Sequence, residues 1–317
     1  MCAPLDKVTV ALIPHEGFAR ASVTLDEVVA TIDTDTPLVV VEAGAPDHVR
    51  RHIDDVASRR PITRLGGTRY LAPNEARNLA FTAVDTEYVA FVDNDMHLVD
   101  DWLGPLVTCA EQTGAWAVNP VIAEFDDPAL VHLAGGSCRI FEQSGRRVFR
   151  DVPAHANEPV ALVRPMLERQ ATEMLEFHCM LVRSDALRRV GPLDEDLRSS
   201  WEHCDLCLAI HAAGAETWIE PDSYVVIVRT YDRENLMQSV LRWSRAWNKH
   251  TARHFARKHG LADRRVQRST YRFIEHRRYR AFCDATGLPA PFAPLANPLA
   301  ALAAHRDRRA RRAERDS

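Results

Sequence analysis

The chain has 317 residues, 46% hydrophobic and 26% charged, with a formal net charge of −4. That is ordinary globular composition, enough for one large domain and an appendage. No stretch approaches the roughly 20 apolar residues of a membrane-spanning helix, and the first residues show no basic-then-apolar leader.

The seven cysteines are scattered, as free thiols in a reducing compartment are, so a cytoplasmic setting is expected. Cys204 and Cys207 form a C-x-x-C, but inside a helical pattern and without a redox setting. Charge is uneven. Residues 240–317 carry 19 Lys/Arg against 6 Asp/Glu, or +13, after a body of −17. The first reading of that basic segment is a set of solvated helix faces; the second is peripheral contact with an anionic membrane face. No nucleic-acid recognition module is visible, so nucleic acid is not an expected partner.

In chain order, the apolar run Val8–Ile13 reads as a strand stopped by Pro14, His15, Glu16 and Gly17. Residues 24–32 have helical spacing. Pro37–Val41 is a second strand ending at Glu42, 48–58 a helix, 62–65 a short strand and 74–83 a helix with Ala76, Leu79, Ala80 and Ala83 inward. The run from Glu87 to Val92 is a buried strand that ends in Asp93-Asn94-Asp95. Asp100 and Asp101 look like a cap before a helix at 102–112. This β-α-β-α-β-α-β order, with near-continuously apolar strands, predicts an α/β fold with a mostly parallel sheet covered on both faces. Right-handed crossovers bring the strand-end loops to one rim.

Farther on, 115–121 reads as a strand, 135–149 as a hairpin or irregular insertion, and 152–164 as a loop. Residues 177–182 form a strand and 184–190 a short helix stopped by Gly191-Pro192. After an acidic loop, a helix runs from Trp201 to Gly214, and 224–228 is a late strand. Residues 233–260 and 267–285 are expected as helices, 289–298 as an extended Pro-rich linker, and 300–317 as helix or disorder. The expected division is 1–232 for the catalytic unit, 233–288 for a helical extension and 289–317 for linker and Arg-rich tail.

Two carboxylates one residue apart, just past a core strand, can share a hard divalent cation that also holds a phosphate. The competing reading is a polar strand end that caps the next helix. A polar cluster, Glu202-His203-Cys204-Asp205, opens the helix after Trp201. Glu202 and Asp205 are three apart, which places them on one side. The competing reading there is a capped helix N-terminus. His132 and His178 are isolated and read first as packed core histidines, with a metal-binding role as the lesser reading. Zinc-type Cys/His spacing, a P-loop, G-x-G-x-x-G and a serine elbow are all missing.

Several stretches, in order, resemble family 2 glycosyltransferases of the GT-A fold. They are Leu12-Ile13-Pro14, Val39 to Gly44, Asn74-Glu75-Ala76-Arg77-Asn78, Asp93-Asn94-Asp95, Met180 to Arg183 with Val190 to Glu195, Glu202 to Leu206, and Arg242-Trp243-Ser244 through Lys258. The resemblance covers about residues 8–260. It implies a GT-A, Rossmann-like sheet and inverting transfer of a sugar from a nucleotide-diphosphate donor to a hydroxyl acceptor. Asp95, with Asp93, would hold Mn²⁺ or Mg²⁺. Pro14, Glu16, Glu42, Asn94 and Asp93 would line the nucleotide, and Arg77 would meet the diphosphate. A surface salt bridge is the competing reading for Arg77.

This chain departs from the family pattern at two positions. Glu42 stands where Asp is common, and His203 stands where the family has its usual general base. His203 or Glu202 is therefore expected as the base, with Asp205 in support; a neutral imidazole accepts a proton near pH 7 without tuning. Trp201 is expected either to stack on a sugar or to be core. The alternative function is a catalytically impaired sugar-nucleotide- or glycan-binding protein of the same fold. A sugar-1-phosphate nucleotidyltransferase would want a Gly-rich basic loop after the first strand, and 14–18 is not one.

Overall fold

The structure is a computed structural model and describes residues 5–15, 17–99, 101–124, 129–261 and 265–315. In chain order it has β1 (Val8–Ile13), α1 (Ala21–Thr31), β2 (Leu38–Val41), α2 (Asp47–Ala57), β3 (Thr63–Leu65), α3 (Pro73–Phe81), β4 (Tyr88–Asp93) and β5 (Met96–Leu98). Then come α4 (Leu103–Thr113), β6 (Ala117–Glu124), β7 (Leu130–Leu133), β8 (Gly136–Gln143), β9 (Arg146–Pro153), α5 (Val160–Val163) and β10 (Gln170–Thr172). The last are β11 (Cys179–Arg183), α6 (Ser184–Val190), α7 (Glu202–Ala212), β12 (Thr217–Ile227), α8 (Leu236–Arg242), α9 (Arg245–Lys258), α10 (Arg265–Thr286) and α11 (Ala296–Arg315).

The sheet runs β10-β12-β6-β11-β4-β1-β2-β3. β1 pairs in parallel with β2 and β4, β2 with β3, and β12 with β6. β11 runs antiparallel between β4 and β6. Every residue of β1, β2 and β4 is buried, which is why their sequences are apolar rather than alternating. The chain moves outward from β1 through β2 to β3, then returns to β4 on the other side of β1. That reversal opens a crevice at the carboxyl ends of β1 and β4. Ile13 is level with Asp93, so His15 and the Asp93–Asp95 turn leave the sheet side by side. The loop after β2 is held close to the one after β3: a Cβ on Gly66, which has φ +110°, would lie 2.8 Å from the Ala43 nitrogen.

Three sequence expectations need correction. The segment 233–260 is two helices, because Ser244 leaves the helix and accepts from the Trp247 backbone N–H at 3.2 Å, capping α9. Residues 289–298 are not extended. Ala290–Leu295 forms a 3₁₀ turn and α11 starts at Ala296; Pro291 and Pro298 sit in first turns, where their missing N–H costs little, while Pro294 lies inside the 3₁₀ turn. The hairpin β8–β9 runs on to Pro153, and α5 interrupts the segment read as loop.

The C-terminal helices lie against the α/β body. Gln238 on α8 donates to the Gly44 carbonyl at 3.1 Å, and α11 reaches α3 through Arg311 to Glu75 at 3.0 Å. Among the described residues no helix is long and apolar enough to cross a membrane.

Candidate active site

At the crevice, Asp93 is buried and receives Arg77 Nη2 on Oδ1 at 2.9 Å. Arg77 is equally buried, its guanidinium 4.0 Å from the centre of the Phe177 ring. It is a core cation, so the surface-bridge reading does not hold. Burial pulls Arg77 below the usual guanidinium range, against the opposing pull of Asp93. His15 Nδ1 lies 3.8 Å from Asp93 Oδ2 and 3.4 Å from Asp95 Oδ2. Its Nε2 faces Arg242 Nη2 at 3.1 Å. A guanidinium only donates, so in the neutral ring Nε2 holds the lone pair and the proton sits on Nδ1; burial opposes charge on the ring, but Asp93 and Asp95 outweigh it and raise its pKa. Asn94 ties the two loops together, accepting from the His15 N–H at 3.2 Å and donating to the Gly17 carbonyl at 2.8 Å.

A row of imidazoles continues from His15. His178 meets it edge-on at 5.0 Å, and His132 meets His178 at 5.1 Å. Glu176 joins them. Its Oε2 is 2.7 Å from His132 Nε2 and 3.0 Å from His178 Nδ1, and its Oε1 is 3.8 Å from His203 Nε2. His132 Nδ1 also reaches Glu124 at 2.9 Å. Burial works against charge on His132, but Glu176 and Glu124 outweigh it and raise the ring to about 9, so it is an imidazolium at neutral pH. His178 goes the other way. Burial lowers it, so it is neutral, with its proton on Nδ1 towards Glu176. Its Nε2 is buried and has no hydrogen-bond partner.

That bare lone pair bears on metal binding. Ligand atoms of His15, Asp93 and His178 lie within 4.8 Å of one another. His15 fits poorly as a donor, because Arg242 occupies one ring nitrogen and the proton the other. His178 fits well: a neutral imidazole with a free Nε2 and a carboxylate behind Nδ1 is the arrangement of a metal-ligating histidine. Asp93 and His178 bring an oxygen and a nitrogen ligand atom to within 4.8 Å of each other, and Asp95 stands beside them, 3.4 Å from His15 Nδ1.

The opening of α7 separates the three base candidates. Glu202 is buried and bonded through Oε1 to Arg242 Nη2 at 2.9 Å. Burial alone would raise its carboxyl, but Arg242, then His203 and Arg77, hold it down at about 2. His203 lines the cleft with Glu176, Asp93 and Arg77, a space of about 110 Å³. Asp205 does not face Glu202. It binds Lys258 at 2.7 Å and His259 at 2.8 Å and lines a separate groove of about 1010 Å³ beneath the β8–β9 hairpin. Trp201 is core, packed on Phe255 at 5.3 Å with its Nε1 donating to Asp151 at 3.1 Å. Glu42 stands at the end of β2 and pairs with Arg64 at 2.8 Å. Pro14 is buried at the end of β1, and Glu16 lies outside the described residues. Cys204 and Cys207 are buried thiols that burial pushes up, which removes a redox reading.

The model of glycosyl transferase family 2 matches residues 19–190, the span that carries α1 to α6 and the Asp93–Asp95 turn. The chain belongs to glycosyl transferase family 2. Among curated proteins, pre-mycofactocin glycosyltransferase from two strains of Mycobacterium tuberculosis, CDC 1551 / Oshkosh and ATCC 25618 / H37Rv, is 27% identical over 189 residues. That stretch is 59% of this chain and 36% of each relative, so the match spans about a third of the relatives' length. Among solved structures, GalNAc-T7 with UDP, GalNAc and Mn²⁺ aligns with TM-score 0.54 at 13% identity, over 89% of this chain and 58% of the other. Mannosyltransferase PcManGT from Pyrobaculum calidifontis, with GDP-Man and Mn²⁺, aligns with TM-score 0.53 at 17% identity, over 94% and 73%. The shared architecture is the GT-A fold.

Of the cleft residues, sequence reasoning did not single out Glu176, carried Arg242 only within a resemblance, and put a core role ahead of a metal role for His132 and His178. Glu176-Phe177-His178 was detectable by the logic that found Asp93. β11 runs antiparallel to β4, so the start of β11 lies on the rim where β4 ends, and Cys179 is level with Val92. Nothing local marks Arg242, which meets Glu202 across 40 residues of chain.

Proposed function

We propose that this family 2 glycosyltransferase moves a sugar from a nucleotide-diphosphate donor to a hydroxyl acceptor with inversion, in a cytoplasmic setting. The acceptor hydroxyl belongs to a glycan, a lipid-linked carrier or a natural product. Residues 1–232 are the catalytic unit and 233–288 a helical extension over it. Asp95, Asp93 and His178 Nε2 hold a divalent cation. An imidazole in the donor set favours Mn²⁺ over Mg²⁺, which keeps to oxygen ligands. When bound, the ion neutralises charge on the leaving diphosphate. Glu42, Asn94 and Pro14 line the nucleotide from the ends of β2, β4 and β1. Arg77 fixes the Asp93 carboxylate through Oδ1 and leaves Oδ2 for the site.

His203 is the base. Its Nε2 takes the acceptor proton as the acceptor oxygen bonds to the anomeric carbon and the bond to phosphate breaks. Glu176, 3.8 Å away, stabilises the imidazolium that forms. Glu202 does not compete, since a carboxyl held near 2 by Arg242 is a fixed charge rather than a proton acceptor. Asp205, turned away, has no part in the step.

The observation that carries this reading is His178, with a bare, buried Nε2, grouped within 4.8 Å of the Asp93 carboxylate at the start of the Asp93–Asp95 turn. The test is donor turnover in the wild type, His203→Ala and Asp95→Ala, with and without Mn²⁺. Mn²⁺-dependent sugar release that falls in both variants supports it. Full turnover in His203→Ala removes His203 from the role.

A second reading, a donor-binding protein without transfer, rests on His203 standing where the family has its usual base. The cleft of about 110 Å³ is smaller than the 300–1,000 Å³ or so of ligand sites. On the transfer reading, the segment after β12 and α8, which carries Arg242, draws back to admit the donor.

A further inference from the structure

We propose that the elbow between α10 and α11 is a docking surface for an anionic lipid bilayer. This is independent of the chemistry at the cleft. The segment 285–304 has no charged residue; its alanines at 293, 296, 300, 303 and 304 pack inward, but most of its large apolar side chains do not. Phe292 and Leu295 are each 50% exposed, Leu302 43% and Leu288 38%. Pro289, Pro291 and Pro294 stiffen the 3₁₀ turn that presents them, so little conformational freedom is lost when they insert.

The apolar elbow runs directly into a basic face. On α11, Leu302 and Arg309 are seven residues apart, in one stripe with His305 and Arg312. Arg306, Arg308, Arg309 and Arg312 are all exposed. Asp307, the acid among them, points inward. It accepts from Trp247 Nε1 at 3.0 Å and from Arg311 at 2.8 Å, so it does not offset the outer charge.

Beside the elbow, Arg245, Arg278 and Arg308 line a groove of about 380 Å³ floored by Ala300, Ala301 and Ala304. Arg278 is buried with Nη1 on the Trp243 carbonyl at 2.7 Å, Arg245 pairs with Glu275 at 3.0 Å, and Arg308 stands exposed at the edge of the groove. A phosphate headgroup is the anion that such guanidinium groups take.

Exposed apolar side chains rimmed by arginines match the two layers of a bilayer surface: acyl boundary for Leu and Phe, anionic headgroups for Arg. A second copy of the chain would set this arginine face against its like. A soluble polyanion would leave Phe292 and Leu295 in water.

The test is co-sedimentation of the full chain with phosphatidylcholine vesicles, with and without phosphatidylglycerol. The expected result is binding to the anionic vesicles only, weakened by salt. Removing one arginine in Arg306→Gln or Arg309→Gln should cost roughly fivefold in affinity. Phe292→Ser with Leu295→Ser should cost on the order of a hundredfold. Both sites are exposed, so the melting temperature should stay put in each variant. Three outcomes overturn the proposal: no vesicle binding, equal binding by the Phe292/Leu295 variant, or a concentration-dependent dimer that this variant abolishes.

Discussion

Replacing Arg242 with Met tests whether Glu202 is a fixed charge or a proton acceptor. Arg242 reaches Glu202 at 2.9 Å, the Arg198 carbonyl at 2.9 Å and His15 Nε2 at 3.1 Å under the cleft. Both partners of the ion pair are buried. Taking one charge away leaves the other uncompensated, which costs about 3–5 kcal/mol. The pKa gives a matching figure: a carboxyl at about 2 in the fold instead of 4.5 contributes roughly 3 kcal/mol. The folded pKa is the lower one, so this contribution is complete above about pH 4.5 and drains away as pH falls towards 2. Urea unfolding followed by tryptophan fluorescence at pH 7 measures it. Arg242→Met should lose about 3–5 kcal/mol. The double variant Glu202→Met with Arg242→Met should lose less than Arg242→Met alone, because no orphan charge remains. A single-variant loss below about 1 kcal/mol, or additive losses in the double, would refute the buried-pair account.

Three more expectations follow from the same cluster. His203→Gln should lower kcat by roughly 10²–10⁴-fold while leaving donor binding intact, checked by turnover alongside nucleotide titration. Glu176→Gln should weaken Mn²⁺ binding by about 10–100-fold, because it removes the carboxylate that orients His178; electron paramagnetic resonance of free Mn²⁺ reads this without turnover. His132 has its pKa raised to about 9, so its contribution is complete below pH 6.5 and disappears as pH rises through 9. His132→Gln should therefore be about 3 kcal/mol less stable than wild type at pH 6, with the gap closing near pH 10 in denaturant melts.

The parts of this molecule that sequence reveals are those set by local composition. The run Tyr88–Val92 can only be a buried strand, and the carboxylates that follow it must leave the sheet at its functional rim. The order of strands and helices through Asp93 follows in the same way. What stayed hidden depends on contacts between distant segments. His132 and His178 look like lone core histidines along the chain, yet β7 and the start of β11 bring both to Glu176. Glu202 and Asp205 share a side by spacing, but Arg242 draws one inward and Lys258 with His259 draws the other outward. The Pro-rich stretch misled because proline bars a helix interior while suiting a first turn, and only the packing of α11 on α8 and α9 decides which applies.

The central claim is a donor site built on the Asp93–Asp95 turn and a cation. Thermal unfolding of wild type and Asp95→Ala with UDP, GDP, dTDP or CDP, each with and without Mn²⁺, tests it most directly. The account predicts that one nucleotide stabilises the wild type only when Mn²⁺ is present, by about 2.7 kcal/mol at a hundred times its Kd, and that Asp95→Ala abolishes the effect. Stabilisation by none of the four, or stabilisation that ignores both Mn²⁺ and Asp95, would contradict it.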